Sequence, residues 1–118
     1  MNLFKRWLWP RSPRSDALTF YKDGMACGDK KDSNGALLAF TSAIEVADAP
    51  DDVRAMALYN RALLFAAEGK TDCASADLQA VMKMPIPSNG VKLAAKRRLE
   101  RLEHRRESAK QTNRRSSS

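Results

Sequence analysis

Two stretches of this chain align with each other at one constant shift, which places residue 20 on residue 58. Residues of comparable bulk occupy the aligned positions, which suggests that one packing arrangement is used twice. The aligned pairs are Phe20/Leu58, Tyr21/Tyr59, Gly24/Ala62, Cys27/Phe65, Ala36/Ala74, Phe40/Leu78 and Ala43/Val81. Self-similarity at a fixed period of this size indicates a helical repeat protein. This offset, called the repeat shift below, therefore limits the fold more than any other feature of the sequence.

Composition favours helices over strands. Apolar residues make up 43% of the 118 residues and aromatic residues only 7%, so the core is modest and depends on small side chains such as alanine. Alanine suits close contact between helices. No segment alternates apolar and polar residues in the manner of a half-buried strand. We therefore predict an all-α fold in one small domain with flexible termini.

Prolines, glycines and polar clusters divide the chain into segments of helical periodicity. We predict a basic, aromatic head over residues 1–15, a helical domain over 16–110 and a disordered tail over 111–118. Helices are predicted over about 16–27, 33–47, 50–68, 71–84 and 89–110. The last of these carries a narrow apolar stripe, and we expect it to cap two helix hairpins with its charged outer side facing water. The stripe consists of Val91, Ala95, Leu99 and Leu102.

The second copy resembles the tetratricopeptide repeat (TPR), a family of antiparallel helix hairpins. The matching residues are the run Ala57-Leu58-Tyr59-Asn60-Arg61-Ala62, then Phe65, Gly69, Ala74, Leu78 and Val81. In that family, small residues at the positions of Ala62 and Ala74 lie where the two helices touch most closely. Phe65 and Leu78 resemble the bulky residues that fill the gap, and Gly69 resembles the turn. The resemblance implies two TPR-like hairpins.

The first copy follows the same pattern less closely. Its matching residues are Gly24, Ala36, Phe40 and Ala43. Lys31 stands where the turn glycine is expected, and Cys27 stands where an aromatic residue is common. The repeat shift is also longer than the family period of roughly 34 residues, and we place the extra residues in the loop 48–52. The resemblance covers residues 17–86.

TPR proteins bind a peptide or helix in a concave groove lined by the first helix of each hairpin. The resemblance therefore implies a non-catalytic adaptor, scaffold or assembly subunit. By correspondence, the groove would be lined by Leu18, Tyr21, Met25, Met56, Tyr59, Asn60, Leu63 and Ala67. Tyr21 and Met25 stand where a carboxylate clamp would need Lys and Asn, so an apolar segment of a protein partner is the expected ligand. Self-association is also expected, because the core is small.

The net charge of +7 is unevenly distributed: +4 over residues 1–15, −4 over 16–86 and +7 over 87–118. The basic C-terminal helix is an alternative site, where nucleic acid or the ribosome would be bound through phosphates. Its contact residues would be Lys96, Arg97, Arg98, Arg101, Arg105 and Arg106. Glu100, Glu103 and Glu107 interleave with them and can pair with them. No aromatic residue accompanies them for base stacking, so a solvated capping face is the competing interpretation.

The head offers a third alternative, peripheral membrane contact. On a two-turn helix its apolar residues would share one side, a pattern typical of a membrane surface, although two turns are short for a stable helix. These residues are Leu3, Phe4, Trp7 and Leu8. The head also weakly resembles an organelle transit peptide, and it lacks the apolar core of a secretory signal. The longest apolar run, 62–67, is far shorter than the roughly 20 residues of a membrane span. We expect a cytoplasmic protein with reduced cysteines, peripheral to a membrane in this third alternative.

No active site is predicted. Cys27 and Cys73 are far apart in the sequence, and His104 is the only histidine, so the clustered ligands of a metal site are lacking. His104 also has no nucleophile or carboxylate placed to work with it. The acidic residues fall at predicted helix ends, where they favour the helix dipole, and no phosphate-binding glycine loop occurs. We therefore expect neither catalysis nor a metal or cofactor.

Overall fold

A computed structural model describes residues 12–116, and every regular element within this range is an α-helix. The helices are α1 (Pro13–Asp29), α2 (Ser33–Glu45), α3 (Asp51–Ala67), α4 (Thr71–Lys83) and α5 (Val91–Ser116). The prediction of an all-α fold is confirmed. Within the described residues the chain divides into two compact units, 12–57 and 58–116, with the boundary inside α3.

The repeat shift recurs in the helix boundaries. Helices α1 and α3 each contain 17 residues, and α2 and α4 each contain 13. The first and the last residue of α3 both align with those of α1 at the repeat shift, and the same holds for α4 and α2. Two hairpins of identical length therefore follow each other along the chain.

The turns of the two hairpins share one hydrogen-bond pattern. In the first turn the N–H groups of Lys30, Lys31 and Asp32 donate to the carbonyls of Ala26, Gly28 and Cys27. In the second turn the N–H groups of Glu68, Gly69 and Lys70 donate to the carbonyls of Leu64, Ala66 and Phe65. Each of the three bonds in the first turn thus has its counterpart at the repeat shift. Lys31 and Gly69, the aligned central residues, have φ angles of 60° and 79°, in the left-handed region that favours glycine.

The first unit contains α1, α2 and the first part of α3. Phe40 of α2 contacts Gly24 of α1, and Gly35 lies beside Cys27. Residue numbers rise along one helix as they fall along the other, so the pair is antiparallel. A Cβ atom added at Gly24 would lie 2.6 Å from the Phe40 ring. Glycine is therefore required there for the close approach of the ring.

A second cluster of the first unit closes the base of the hairpin. Ala17, Ala49 and Val53 are buried together. Arg54, in the first turn of α3, donates from Nε to the carbonyl of Ile44 at 3.1 Å and from Nη2 to the carbonyl of Val46 at 3.1 Å. These carbonyls belong to the last turn and the C-cap of α2, whose groups lack partners within the helix. A side chain of the next helix thus caps α2.

The second unit contains the end of α3, then α4 and α5. A short connection joins α3 to α4, and Arg61 lies opposite Asp77 at the same distance from the turn, so this pair is also antiparallel. The interior of the second unit is formed mainly by small and branched side chains, as in the first. Its buried apolar residues are Leu58, Ala62, Ala74, Leu78, Val81, Ala95 and Leu102.

Helix α5 begins like the first helix of another hairpin. Lys92 Nζ donates to the carbonyl of Met84, the C-cap of α4, at 3.0 Å. Both residues align with Arg54 and Val46 at the repeat shift, so the same cap is made again. The positions through which α1 contacts α2, Tyr21 and Gly24, correspond at twice the shift to Arg97 and Glu100. Charged residues at these positions disfavour the apolar packing of a further helix against α5, as expected of a helix that caps the hairpins.

Helix α1 begins earlier than the predicted start at Asp16. The Ser12 hydroxyl accepts from the N–H of Ser15 at 3.1 Å and caps the helix. Pro13 follows at the first helical position, where proline is well tolerated. Residues 13–15, which we assigned to the head, are therefore part of α1.

Helix α5 is longer at its C-terminal end than predicted and begins at Val91 rather than at residue 89. It continues to Ser116, so residues 111–116 of the predicted disordered tail are helical. The hydroxyls of Thr112 and Ser116 donate to the carbonyls of Ser108 and Thr112, one turn earlier. Arg114 and Arg115 lie in the last turn, where positive charge favours the helix dipole.

Candidate protein-binding surface

Three of the predicted groove residues lie on α1. Leu18 and Tyr21 are partly buried and pack against the cluster of Ala17, Ala49 and Val53. The Tyr21 ring also contacts the Phe40 ring, with centroids 5.9 Å apart and planes tilted by 49°. Part of each side chain is therefore used inside the hairpin, and the remainder is exposed.

Met25, the third of these residues, is 41% exposed. It lies one helical turn after Tyr21, so the two share a face of α1. Methionine is flexible and polarisable, and it adapts to partners of different shape. Met25 is the most accessible apolar contact among the predicted residues of α1.

The other five predicted residues lie on α3 at intervals of three or four. Met56 belongs to the first unit and the rest to the second. Met56, Tyr59, Asn60 and Leu63 are partly buried, and Ala67 is exposed at the end of the helix. The spacing places all five along one face of α3. The five residues carry no charge, and tyrosine and asparagine supply their polar groups; Asp52, one turn before Met56, is a charged residue on the same side of α3.

The predicted residues of the two helices correspond to one another at the repeat shift. Leu18 aligns with Met56, Tyr21 with Tyr59, and Met25 with Leu63. In both helices the first two members of each set are partly buried. Each hairpin thus has a tyrosine between two leucine or methionine residues, and none of these side chains is completely buried.

The basic residues of α5 do not form a single surface. Lys96, Arg97, Arg101 and Arg105 are exposed, whereas Arg98 and Arg106 are partly buried. Arg106 bonds to Asp72 at the start of α4 through an N–H donated to Oδ1. The Arg98 Nε atom is buried and has no hydrogen-bond acceptor within the described residues. Of the six residues, these two are held partly inside the fold.

Two surface clefts lie in the second unit. One, of about 470 Å³, surrounds the start of α4 and is lined by Gly69, Lys70, Thr71, Asp72, Cys73 and Arg106. The other, of about 210 Å³, is lined by Met82, Ser88, Lys92, Leu93 and Lys96. Cys73 is an exposed free thiol. Residues 12–116 contain no group of three side chains that could hold a metal ion.

The predicted membrane contacts of the head, Leu3, Phe4, Trp7 and Leu8, lie outside the described residues. In the part of the chain that the structure describes, no helix is both long enough and apolar enough to cross a bilayer.

Several features of the structure were not predicted from the sequence. An ion pair joins Arg61 to Asp77, with Nε to Oδ2 at 2.8 Å and Nη2 to Oδ1 at 2.7 Å. Asp77 is buried, and the guanidinium also lies over the Phe65 ring, 5.6 Å from its centroid. An acidic residue buried in the middle of a helix gives no periodic signal. Leu38, 71% exposed on α2, was also missed.

The cap formed by Arg54 could have been found in the sequence. Arg54 and Lys92 are both basic, and they align at the repeat shift. Extending the repeat alignment beyond the apolar positions would have matched them.

The ion pair between Arg14 and Asp52, at 3.2 Å, joins two exposed side chains. The hydrogen bonds from Arg14 lower the pKa of Asp52 below its usual value; burial opposes this, and the N–H of Val53 adds to the lowering.

Comparison of the chain with protein-family models, curated proteins and solved structures gave no match. The resemblance to the tetratricopeptide repeat therefore stays a prediction that depends on the residues of the two copies.

Proposed function

We propose that this chain is a TPR-like adaptor that binds an apolar peptide or helix of a protein partner through the first helices of its hairpins. The observation that supports this most is the repeated set Leu18/Met56, Tyr21/Tyr59 and Met25/Leu63 on α1 and α3. A side chain needed only for packing would be expected to be buried completely, as Ala36 and Ala74 are. These residues instead keep part of their surface accessible in both hairpins.

The chemistry of the set favours an apolar ligand. Tyrosine and methionine are enriched at protein interfaces, where they supply large contact areas. None of the five residues on α3 is charged, and Asp52, the carboxylate one turn before Met56, already pairs with Arg14. The set therefore favours an apolar ligand over a charged one. An amphipathic helix or an extended apolar segment would be bound by such anchors at intervals of three or four residues.

A substitution pair tests the proposal. Peptides that bind the full chain are selected from a displayed random library, and the affinity of the tightest binder is measured by calorimetry. Met25→Glu places a charge on α1 at an exposed position, so the fold should tolerate it. We expect the affinity to fall about tenfold or more, corresponding to about 1.4 kcal/mol.

Leu38→Glu is the matched control, because Leu38 is an exposed apolar residue on the second helix of the same hairpin. It should leave the affinity unchanged. Equal losses in the two variants, or peptides whose binding disappears in about 0.5 M salt, would contradict binding through the first helices, since apolar contacts are not screened.

A further inference from the structure

Three exposed arginines follow one line along α5. Arg97, Arg101 and Arg105 are each separated by four residues, so their side chains occupy adjacent turns of one flank. With a rise of 1.5 Å per residue, the line is about 12 Å long. None of the three forms an ion pair with another described residue.

The carboxylates of α5 lie on a different flank. Glu100, Glu103 and Glu107 are separated by three and four residues and form their own line. Glu103 and Glu107 are rotated well away from the arginines at 100° per residue, whereas Glu100 lies three residues after Arg97 and borders both lines. Lys110 joins that second line, with Nζ 3.8 Å from Glu107 Oε1. The interleaving seen in the sequence is therefore resolved into one basic flank and one mixed flank. The arginines are not neutralised as their spacing in the sequence suggested.

The basic flank offers charge but little apolar surface. The apolar stripe of α5 is buried at Ala95 and Leu102. Ala94, Ser108 and Thr112, which share the flank with the arginines by spacing, are small. Leu93, one turn before Arg97, is the nearest exposed large apolar residue, and it belongs to the cleft beside Lys92. Insertion into lipid requires several aromatic or leucine side chains on one face. A protein interface usually has an apolar core within its polar rim, and this flank offers none.

We propose that this basic flank, Arg97, Arg101 and Arg105, binds the phosphodiester backbone of a nucleic acid without recognising its bases. Guanidinium groups pair with phosphate oxygens through two parallel hydrogen bonds. The regular spacing of the arginines suits a ligand with regularly repeated negative charge. No tryptophan, tyrosine or phenylalanine lies on the flank to stack bases. Binding is therefore independent of sequence and strongly dependent on salt. None of the three arginines is among the proposed peptide contacts on α1 and α3.

Two triple variants of the full chain test the site. Arg97→Gln/Arg101→Gln/Arg105→Gln removes the basic flank. Lys96→Gln/Lys110→Gln/Arg114→Gln removes the same charge from exposed positions of the mixed flank. Fluorescence anisotropy measures binding of a labelled single-stranded oligonucleotide of about 20 nucleotides over a series of salt concentrations, and a second oligonucleotide has the same composition in a shuffled order.

The basic-flank variant should bind about tenfold more weakly near 0.1 M salt. The slope of log K against log salt should fall by about 2, since each lost phosphate contact on a single strand contributes about 0.7. The mixed-flank variant should keep most of the affinity and slope. The single variant Arg101→Gln should show about one third of the slope change, which keeps the test valid if the triple variant unfolds.

Four results would overturn the site: no binding by the wild type, equal losses in both triple variants, a basic-flank variant that binds like the wild type, or a preference for one of the two oligonucleotide sequences. A parallel measurement uses vesicles containing phosphatidylserine. Arginine-dependent binding to these vesicles without arginine-dependent binding to the oligonucleotide would assign the flank to a membrane surface instead.

Discussion

The two hairpins have the same helix lengths and turn bonds, but they fill their interiors differently. In the first hairpin Gly24 faces the ring of Phe40. In the second, the aligned residues are Ala62 and Leu78, both buried. In the second hairpin, Ala62 adds a methyl group at the position of Gly24, and Leu78 replaces the ring of Phe40 with a smaller branched side chain. The repeat thus preserves the combined volume of the two aligned positions rather than the identity of either residue.

The turns and the polar interior differ as well. Gly69 in the second hairpin has a positive φ angle, and the aligned Lys31 in the first hairpin has one as well. The second hairpin alone contains the Arg61–Asp77 pair, since the aligned positions in the first hold Asp23 and Ala39. Each difference provides a way to change one hairpin while the other serves as the reference.

Loss of the Asp77 carboxylate is expected to have the largest effect on the free energy of unfolding. Asp77→Ala leaves the partly buried guanidinium of Arg61 without its carboxylate, and the arginine side chain is only 20% exposed. Removing one partner of a buried pair costs about 3 kcal/mol or more in the free energy of unfolding. Urea denaturation followed by circular dichroism measures the change.

Asp23→Ala is the control, because Asp23 aligns with Arg61 in the first hairpin and is exposed. It should change the free energy of unfolding by less than about 0.5 kcal/mol. The double variant Arg61→Met/Asp77→Leu should recover most of the lost stability, because the buried charge is then removed entirely. An Asp77→Ala variant as stable as the wild type would show that the pair is not buried as described.

The second effect concerns the facing pair of the first hairpin. Gly24→Ala should destabilise the chain by about 2 kcal/mol, because the new methyl group overlaps the Phe40 ring. The overlap must outweigh the gain in helix propensity of about 1 kcal/mol. Adding Phe40→Leu reproduces the pair of the second hairpin, so the double variant should be more stable than Gly24→Ala alone.

A double-mutant cycle of these two substitutions measures their coupling, expected at about 1 kcal/mol or more. Additive losses would mean that the two residues do not share one space, and that the correspondence of the hairpins does not extend to their interiors.

Substitutions at the central turn residues should change the stability by a smaller amount, with opposite signs in the two hairpins. Lys31→Gly should stabilise the chain by about 0.5–1 kcal/mol, because glycine adopts a positive φ without steric cost. Gly69→Lys should destabilise it by about 1 kcal/mol for the same reason. Thermal unfolding of the two variants tests both signs. A loss of stability in Lys31→Gly would indicate that the lysine has a role beyond its backbone.

The smallest effect is on the exposed pair of Arg14 and Asp52. Because the pKa of Asp52 is lowered in the fold, its contribution is present at pH values above the usual carboxyl pKa of about 4. The contribution is lost as the pH falls through the lowered pKa. Arg14→Gln should therefore reduce stability by a few tenths of a kcal/mol at pH 7, since exposed pairs are screened by water. The difference from the wild type should vanish near pH 2, and a difference that persists there would have another cause.

The sequence predicted what depends on periodicity and bulk. The alignment at the repeat shift indicated the helical hairpins, and Pro85 with Pro87 placed the end of α4 near Lys83. The predicted start of α1 was too late, because Ser12 and Asp16 are both good caps and only Ser12 precedes a proline at the first helical position. The helical residues 111–116 were also missed, since a polar segment without an apolar stripe gives no periodic signal.

The candidate sites were harder to predict. The groove residues were located by correspondence, but the degree of burial of Leu18 and Tyr21 depends on contacts with the base of the hairpin. For α5, the sequence showed basic and acidic residues mixed together. Their separation into two flanks depends on the spacing along a helix and on the ion pairs that form. Arg106 pairs with Asp72, which lies far back in the sequence, and no local pattern reveals this pairing.

The measurement that most directly tests the repeat is an NMR assignment of the full chain with nuclear Overhauser data. The account predicts helical chemical shifts over 13–29 and again over 51–67, a positive φ at Lys31 and Gly69, and contacts between the Gly24 α-protons and the Phe40 ring. Strand-like shifts within residues 12–116, two turns that do not match at the repeat shift, or a Phe40 ring distant from Gly24 would contradict it.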